Sequence, residues 1–193
     1  MNKKHGQENF PAKEQKLAVE GFHTHIRKLH KDLNIPDSYP IQSQLRLHPE
    51  PAILVETELD YYGRPQKLAP ETLKAWQQMK SAAAGKGVCL HLLSAYRSVD
   101  KQCEIIARKL AAGELIVDIL KVNAAPGYSE HHTGRAIDLG TTGCRALEEE
   151  FELTEAFFWL GNNAANFHFS LSYPRNNPFG VIYEPWHWCF HAN

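Results

Sequence analysis

Long apolar runs are missing from this 193-residue sequence. Nothing approaches the roughly 20 consecutive apolar residues a spanning helix needs, so no helical membrane span is expected. A strong net charge is missing too: 21 basic side chains stand against 22 acidic ones, for a formal net charge of −1. No field of one sign exists to draw in nucleic acid, and no nucleic-acid partner is expected. Lys3 and Lys4 are not followed by the apolar h-region of a secretory leader. As it stands the chain is expected in the cytoplasm, and in the periplasm if a leader has been trimmed from it. The cysteines, Cys89, Cys103, Cys144 and Cys189, contain no C-x-x-C pair, which excludes a zinc ribbon. Scattered reduced core thiols are expected, with one or two disulfides left open in an oxidising compartment. Repeats, linkers and low-complexity tracts are absent.

The remainder is that of an ordinary globular chain, 43% hydrophobic and 22% charged, of a length that suits one domain. Residues 1–16 read as a polar, frayed tail and 17–193 as a single domain. Leu17, Phe22, Ile26, Leu29 and Leu33 recur near the helical period and predict an amphipathic helix that stops before Pro36. His23, His25 and His30 ride on it. His23 and His25 would point about 200° apart, so the three are taken as solvent-side residues and not as a metal pair. Residues 34–70 predict loops and short strands, among them Ala52 to Val55, with a turn at Tyr62 to Pro65. A helix is predicted from Pro70 to about Ala84, a strand from Val88 to Leu93, and a Ser98-capped helix to about Ala112. Ala136 to Leu139 reads as a strand. Thr154 caps a helix to about Asn166 that carries Phe157, Leu160, Gly161 and Ala164 on one face. A last hairpin joins Phe167–Leu171 to Val181–Trp188. The fold class is α+β: one domain, with a small antiparallel sheet flanked by helices.

Two segments place costly polar groups in apolar surroundings: Gly127 to Asp138, which holds His131, and Tyr183-Glu184-Pro185-Trp186-His187-Trp188. A shared cation would satisfy them together. His131, Asp138 and His187 offer two imidazoles and one carboxylate, the three-ligand set of a catalytic zinc site with an open position. Such a centre lowers the pKa of a bound water toward about 7, and Glu184 nearby can take its proton as general base. On a flat strand Glu184 and His187 would face opposite ways, so Pro185 is expected to break the strand between them.

The spacing Ser129-x-His131-x-x-Gly134-x-x-x-Asp138, with Glu184-Pro185-Trp186-His187-Trp188, resembles the D-alanyl-D-alanine carboxypeptidase branch of the lysostaphin/carboxypeptidase/hedgehog zinc metallopeptidases. The resemblance takes in Ser94-Ala95-Tyr96-Arg97-Ser98 with Gln102, and Asn163 to Phe167, over roughly residues 68–189. It implies a hedgehog-like fold and one zinc ion per chain on His131, Asp138 and His187. It makes Glu184 the base and puts Arg97, Gln102 and Ser129 on the substrate, with Arg97 also steadying the developing oxyanion. The implied activity is a zinc carboxypeptidase that cuts before a terminal D-alanine, D,D or L,D, and the implied partner is a peptidoglycan stem peptide. Two rivals use the same fold: a phage-lysin-type endopeptidase, and a metal-bearing binding module without catalysis. Retention of Glu184 argues against the second.

Departures from that pattern carry expectations of their own. His132 stands where the family commonly has glutamine, and is expected behind the ligands or in solvent. Cys189 replaces a usual arginine. It would share the strand face of His187, but is expected to pack away from the metal or to pair with another cysteine. The ending Phe190-His191-Ala192-Asn193 also departs.

Overall fold

The computed structural model describes residues 12–192. Helix α1 spans Ala12–Asp32 and begins inside the stretch expected as tail. Lys13, Glu14, Gln15 and Lys16 are straight-chain residues of good helix propensity, which accounts for the longer helix. The rest of the expected tail lies outside the described residues. Ile26, Leu33 and His30 face inward from α1. His30 thereby departs from the solvent-side expectation: its Nε2 lies 2.8 Å from the Pro126 carbonyl, and Tyr39 and Tyr128 pack around its ring. His23 and His25 are exposed as expected.

After a short helix α2 (Tyr39–Gln42), strands β1 (Val55–Glu56) and β2 (Lys67–Leu68) form a two-residue antiparallel ladder. Of the apolar run Ala52 to Val55, only Val55 pairs. Helix α3 runs Pro70–Ala84, with proline in its first turn and Gly85 at its C-cap. Strand β3 is shorter than predicted, His91–Ser94. Helix α4 (Val99–Ala111) starts where Ser98 Oγ accepts from Lys101 N at 3.1 Å, and Gly113 turns the chain beyond it at φ +89°. A further helix, α5 (Ile116–Val122), has no counterpart among the predicted elements. A 3-10 turn (Glu130–Thr133) precedes strand β4 (Ala136–Gly140).

Helix α6 (Glu155–Asn163) is capped by Thr154 Oγ accepting from Phe157 N, and a 3-10 turn (Ala164–Phe167) replaces its expected last turn. Leu160 and Ala164 are buried, whereas Gly161 lies on the exposed side. Strand β5 (Phe169–Leu171) pairs with β6 (His187–Phe190) across a long connection. Val181 to Tyr183, expected in the returning strand, is not part of it. Its backbone is tied elsewhere: Ile182 N donates to Lys121 O at 2.9 Å and Glu184 N to Tyr173 O at 3.1 Å.

The main sheet has the order β3-β4-β6-β5, all antiparallel. One face carries Ile137, Leu139, Phe169 and Trp188 into a core with Trp76 and Met79 of α3 and Leu160 of α6. A second core joins Ile26 of α1, Tyr39 of α2, Val99 and Ile106 of α4, Ile119 of α5 and Tyr128. β4 alternates, so Ile137 and Leu139 pointing into the first core leaves Asp138 on the opposite face. All four cysteines are free thiols. Cys189 is buried, Cys103 and Cys144 are half-buried, and Cys89 is exposed rather than in a core.

Candidate functional site

Strand pairing brings the predicted ligands together. Asp138 lies directly opposite His187 in the β4–β6 register, on one face of the sheet. His131 reaches them from the 3-10 turn before β4, which ends at Gly134 with φ +65°. Glycine is required there. A Cβ would stand 2.8 Å from Leu54 Cδ2 and 2.9 Å from the Ala69 backbone nitrogen. The result is that one nitrogen each of His131 and His187 and a carboxylate oxygen of Asp138 all lie within 4.8 Å of one another. No other such cluster occurs among the described residues.

Hydrogen bonds decide which nitrogen of each histidine faces inward. His131 Nδ1 sits 2.6 Å from the Ala95 carbonyl and so carries its proton there, leaving Nε2 at 3.2 Å from Asp138 Oδ2. His187 is arranged the other way. Its Nε2 lies 2.9 Å from Glu130 Oε2, and its Nδ1 lies 3.1 Å from Asp138 Oδ1 and 3.7 Å from Glu184 Oε2. Both outer nitrogens are thus engaged and both inner ones converge. A carboxylate behind a ligand histidine is a recurrent support of metal sites.

The electrostatics are those of an acidic nest around one proton. Burial opposes charge on His187, yet hydrogen bonds to Asp138 and Glu130 carry its pKa up to about 10. Burial likewise opposes charge on Glu130, and the His187 bond and charge hold its carboxyl down to about 2. Asp138 is held below the usual carboxylate range against its burial by His131 and His187. Glu184 differs. Burial pushes its carboxyl up to about 7, with His187 pulling the other way. It occupies the turn before β6, where His187 N donates to Glu184 O at 3.1 Å. The strand therefore begins at His187, and the facing problem posed by the spacing disappears.

These residues sit in a cleft of about 280 Å³, also bordered by Arg97, Ser129, Tyr173 and Trp186. Arg97 is aimed by two side chains: its Nη1 donates to Gln102 Oε1 at 3.1 Å and its Nη2 to Ser94 Oγ at 3.3 Å. A bulge in β3 near Leu93, opposite Leu139 and Asp138, turns the chain toward that position. Gln102, expected on the substrate, is fully buried. Its Nε2 donates to Ala124 O at 2.7 Å, so both ends of its amide are engaged by protein. Ser129 does border the cleft, and its side chain caps no helix.

His132 is buried, not exposed. Its Nδ1 lies 2.6 Å from Arg97 O and its Nε2 accepts from Gly127 N at 3.1 Å, clamping the loop behind the ligands. Cys189 sits on the His187 face as its register implied, outside the converging donor set. Burial, with Glu130 nearby, pushes its thiol pKa up and away from the thiolate form. Sequence reasoning missed Glu130 and Tyr173. Glu130 was findable as the acidic neighbour of a ligand histidine. Tyr173, whose ring centroid is 4.9 Å from that of His187, sits in a proline- and asparagine-rich loop that carries no periodic signal. A wider groove of about 660 Å³ between α1 and the start of α4 holds no converging donor set.

Comparison with known proteins follows the same outline. The family model described as "VanY: D-alanyl-D-alanine carboxypeptidase" matches residues 65–193. YodJ of Bacillus subtilis is 32% identical over 150 residues, covering 72% of this chain and 52% of YodJ. A D-alanyl-D-alanine carboxypeptidase of Enterococcus faecalis is 29% identical over 155 residues, covering 75% and 56%. The chain thus spans about half the length of the curated relatives it matches. Among solved structures, the LD-carboxypeptidase LdcB superposes with a TM-score of 0.66 at 30% identity, over 73% of this chain and 69% of LdcB. A vancomycin-resistance VanY D,D-pentapeptidase in complex with Zn(II) superposes at 0.57 with 28% identity, over 76% and 84%.

Proposed function

This chain belongs to the VanY family of D-alanyl-D-alanine carboxypeptidases, and from that premise we propose that it is a zinc-dependent peptidase that removes a terminal D-alanine from peptidoglycan stem peptides. The observation that carries the reading is the convergence of His131 Nε2, Asp138 and His187 Nδ1, with both outer histidine nitrogens already engaged. That donor set suits zinc, and three protein ligands leave a position open. Held there, zinc would polarise the scissile carbonyl and bring the pKa of a water toward neutrality.

The chain's own residues would do the rest. Glu184, with its carboxyl pushed up by burial and its Oε2 beside the ligand set, takes the proton of the water as its oxygen adds to the carbonyl carbon. It returns that proton to the departing amine nitrogen when the carbon–nitrogen bond breaks. Arg97 opposes the negative charge that develops on the carbonyl oxygen. Gln102 works through Arg97: its buried amide holds the guanidinium in one orientation. Ser129 offers a hydroxyl to the peptide along the cleft wall.

Mass spectrometry of products from defined penta- and tetrapeptide stems, beside elemental analysis of the same preparation, tests the reading. Loss of a single D-alanine, with about one zinc per chain, is the expected result. Cleavage only at an internal bond would replace the carboxypeptidase with an endopeptidase. Peptide binding without cleavage would leave a binding module.

A further inference from the structure

Resting on that reading, we propose that Glu50 is a positioning residue for the reaction: its carboxylate ties both ends of the turn that carries Arg97 and so sets where the guanidinium stands. Glu50 Oε2 accepts from the Tyr96 hydroxyl at 2.8 Å, and Oε1 accepts from Val99 N at 2.6 Å. The two donors flank Arg97 in sequence, one residue before it and two after it. One side chain thus spans a segment whose middle presents a cation to the cleft. Glu50 lies outside residues 65–193 matched by the family model, so the tie comes from a part of the chain that the family pattern does not describe.

The chemistry at each end favours a carboxylate. Val99 N is the first backbone donor of α4, which no bond within the helix can meet. Ser98 Oγ takes Lys101 N and leaves Val99 N to Glu50. A negative group is stabilised at that end of a helix, and bonds to an ionised acceptor are short and strong. The hold reaches Arg97 by two routes. Along the backbone, Arg97 N donates to His131 O at 3.2 Å, and Arg97 O lies 2.6 Å from His132 Nδ1. These bonds tie the turn to the segment that bears a metal ligand, and Glu50 ties it on either side of them in sequence. Through α4, Gln102 stands three residues after Val99 and accepts from Arg97 Nη1 at 3.1 Å. Fixing the first turn of α4 therefore fixes the anchor of the guanidinium. Glu50 itself borders the wider groove between α1 and α4 and not the cleft, so replacing it leaves the cleft lining and the metal donors in place.

The test uses zinc-loaded protein and a stem peptide ending in D-Ala-D-Ala. A displacement of about 1 Å can cost about 100-fold, and with Gln102 and Ser94 still on the guanidinium Glu50→Ala should lower kcat about tenfold. KM and zinc content should stay as in the wild type, because Arg97 acts on charge that develops only in the transition state. Glu50→Gln can still accept from Val99 N and can donate to the Tyr96 oxygen, so it should restore most of the rate despite the lost charge. In an Arg97→Met background, Glu50→Ala should change kcat/KM by less than about twofold, since the group it places is gone. An equal loss in both backgrounds would make Glu50 a merely structural residue and overturn the proposal, as would an unchanged kcat in Glu50→Ala. A second readout needs no turnover. The nitrogen-15 Nε–H signal of Arg97, identified by its absence in Arg97→Met, should be sharp in the wild type and broadened in Glu50→Ala. If the wild type releases no D-alanine, the carboxypeptidase reading fails, while that signal still decides: left unaltered by Glu50→Ala, it overturns the positioning role.

Discussion

Glu130 offers the most direct check on how the centre is built. It touches no proposed metal position itself. Its Oε2 accepts a hydrogen bond from His187 Nε2 at 2.9 Å, and that bond is what turns Nδ1 inward. Without it the imidazole can adopt the other tautomer or rotate about χ2, and part of the ligand set is lost. Loss of such a supporting partner typically lowers metal affinity 10- to 100-fold, or about 1.4–2.7 kcal/mol. Glu130→Ala should therefore weaken zinc binding by that factor in a chelator competition. Glu130→Gln keeps an oxygen able to accept from Nε2, and should recover most of the affinity while losing the charge. Nitrogen-15 spectra of the His187 ring in the zinc-loaded protein supply an independent readout: protonated Nε2 throughout in the wild type, a broadened or mixed state in the alanine variant. Unchanged zinc affinity in Glu130→Ala, with folding intact by circular dichroism, would refute the reasoning, and so would an alanine variant in which Nε2 remains fully protonated.

The other expectations concern the base, the clamp and the turn. Glu184→Gln preserves shape but cannot take the proton, so zinc content should persist while D-alanine release falls about 10²–10⁴-fold; loss of zinc would instead make Glu184 a ligand. His132→Gln can still donate to Arg97 O and accept from Gly127 N, so it should stay within about 1 kcal/mol of the wild type in urea unfolding. His132→Leu strands both groups and should cost about 2–4 kcal/mol; equal stability of the two variants would remove the clamp. Gly134→Ala forces a side chain into the left-handed region against the Ala69 backbone and Leu54. It should lower the thermal midpoint and zinc occupancy together, at a cost of about 2 kcal/mol or more. Burial lowers the pKa of His30, so the folded state holds it neutral while the unfolded chain protonates it near 6.5. The stability it contributes is full above that value and declines as pH falls below it; His30→Gln should flatten this decline in denaturant midpoints measured between pH 7 and 5.

What could be read from the sequence follows from where the controlling physics is local. Ser98 and Thr154 announce their helices because a hydroxyl before the first turn meets an orphan N–H whatever surrounds it. Asp138 inside Ala-Ile-Asp-Leu and His187 between Trp186 and Trp188 were legible because a charge in an apolar run demands a partner. The two residues proved to be opposite each other in one ladder. Where long-range contacts decide, the sequence misled. His30 stands four residues after Ile26 and three before Leu33, the phase of an inward residue, but an imidazole is buried only with a partner, and that partner, the Pro126 carbonyl, lies nearly a hundred residues away. Val181 to Tyr183 has strand composition, but the Ile182 N–H goes to Lys121 O and that of the following Glu184 to Tyr173 O, and no local pattern encodes that choice. Gln102 is the most instructive case. Its spacing brings it against Arg97, but only the geometry shows that Gln102 lies buried behind that side chain while Arg97 alone of the two borders the cleft. One lone pair of Oε1 is taken by Arg97 and one Nε2 donor by Ala124 O, and complete burial keeps the remaining donor and lone pair away from a peptide. Gln102→Ala should then affect turnover through a loosened Arg97, and should do so equally for substrates that differ at their carboxyl terminus. A truncation effect that depends on the free terminal carboxylate would place Gln102 on the substrate after all.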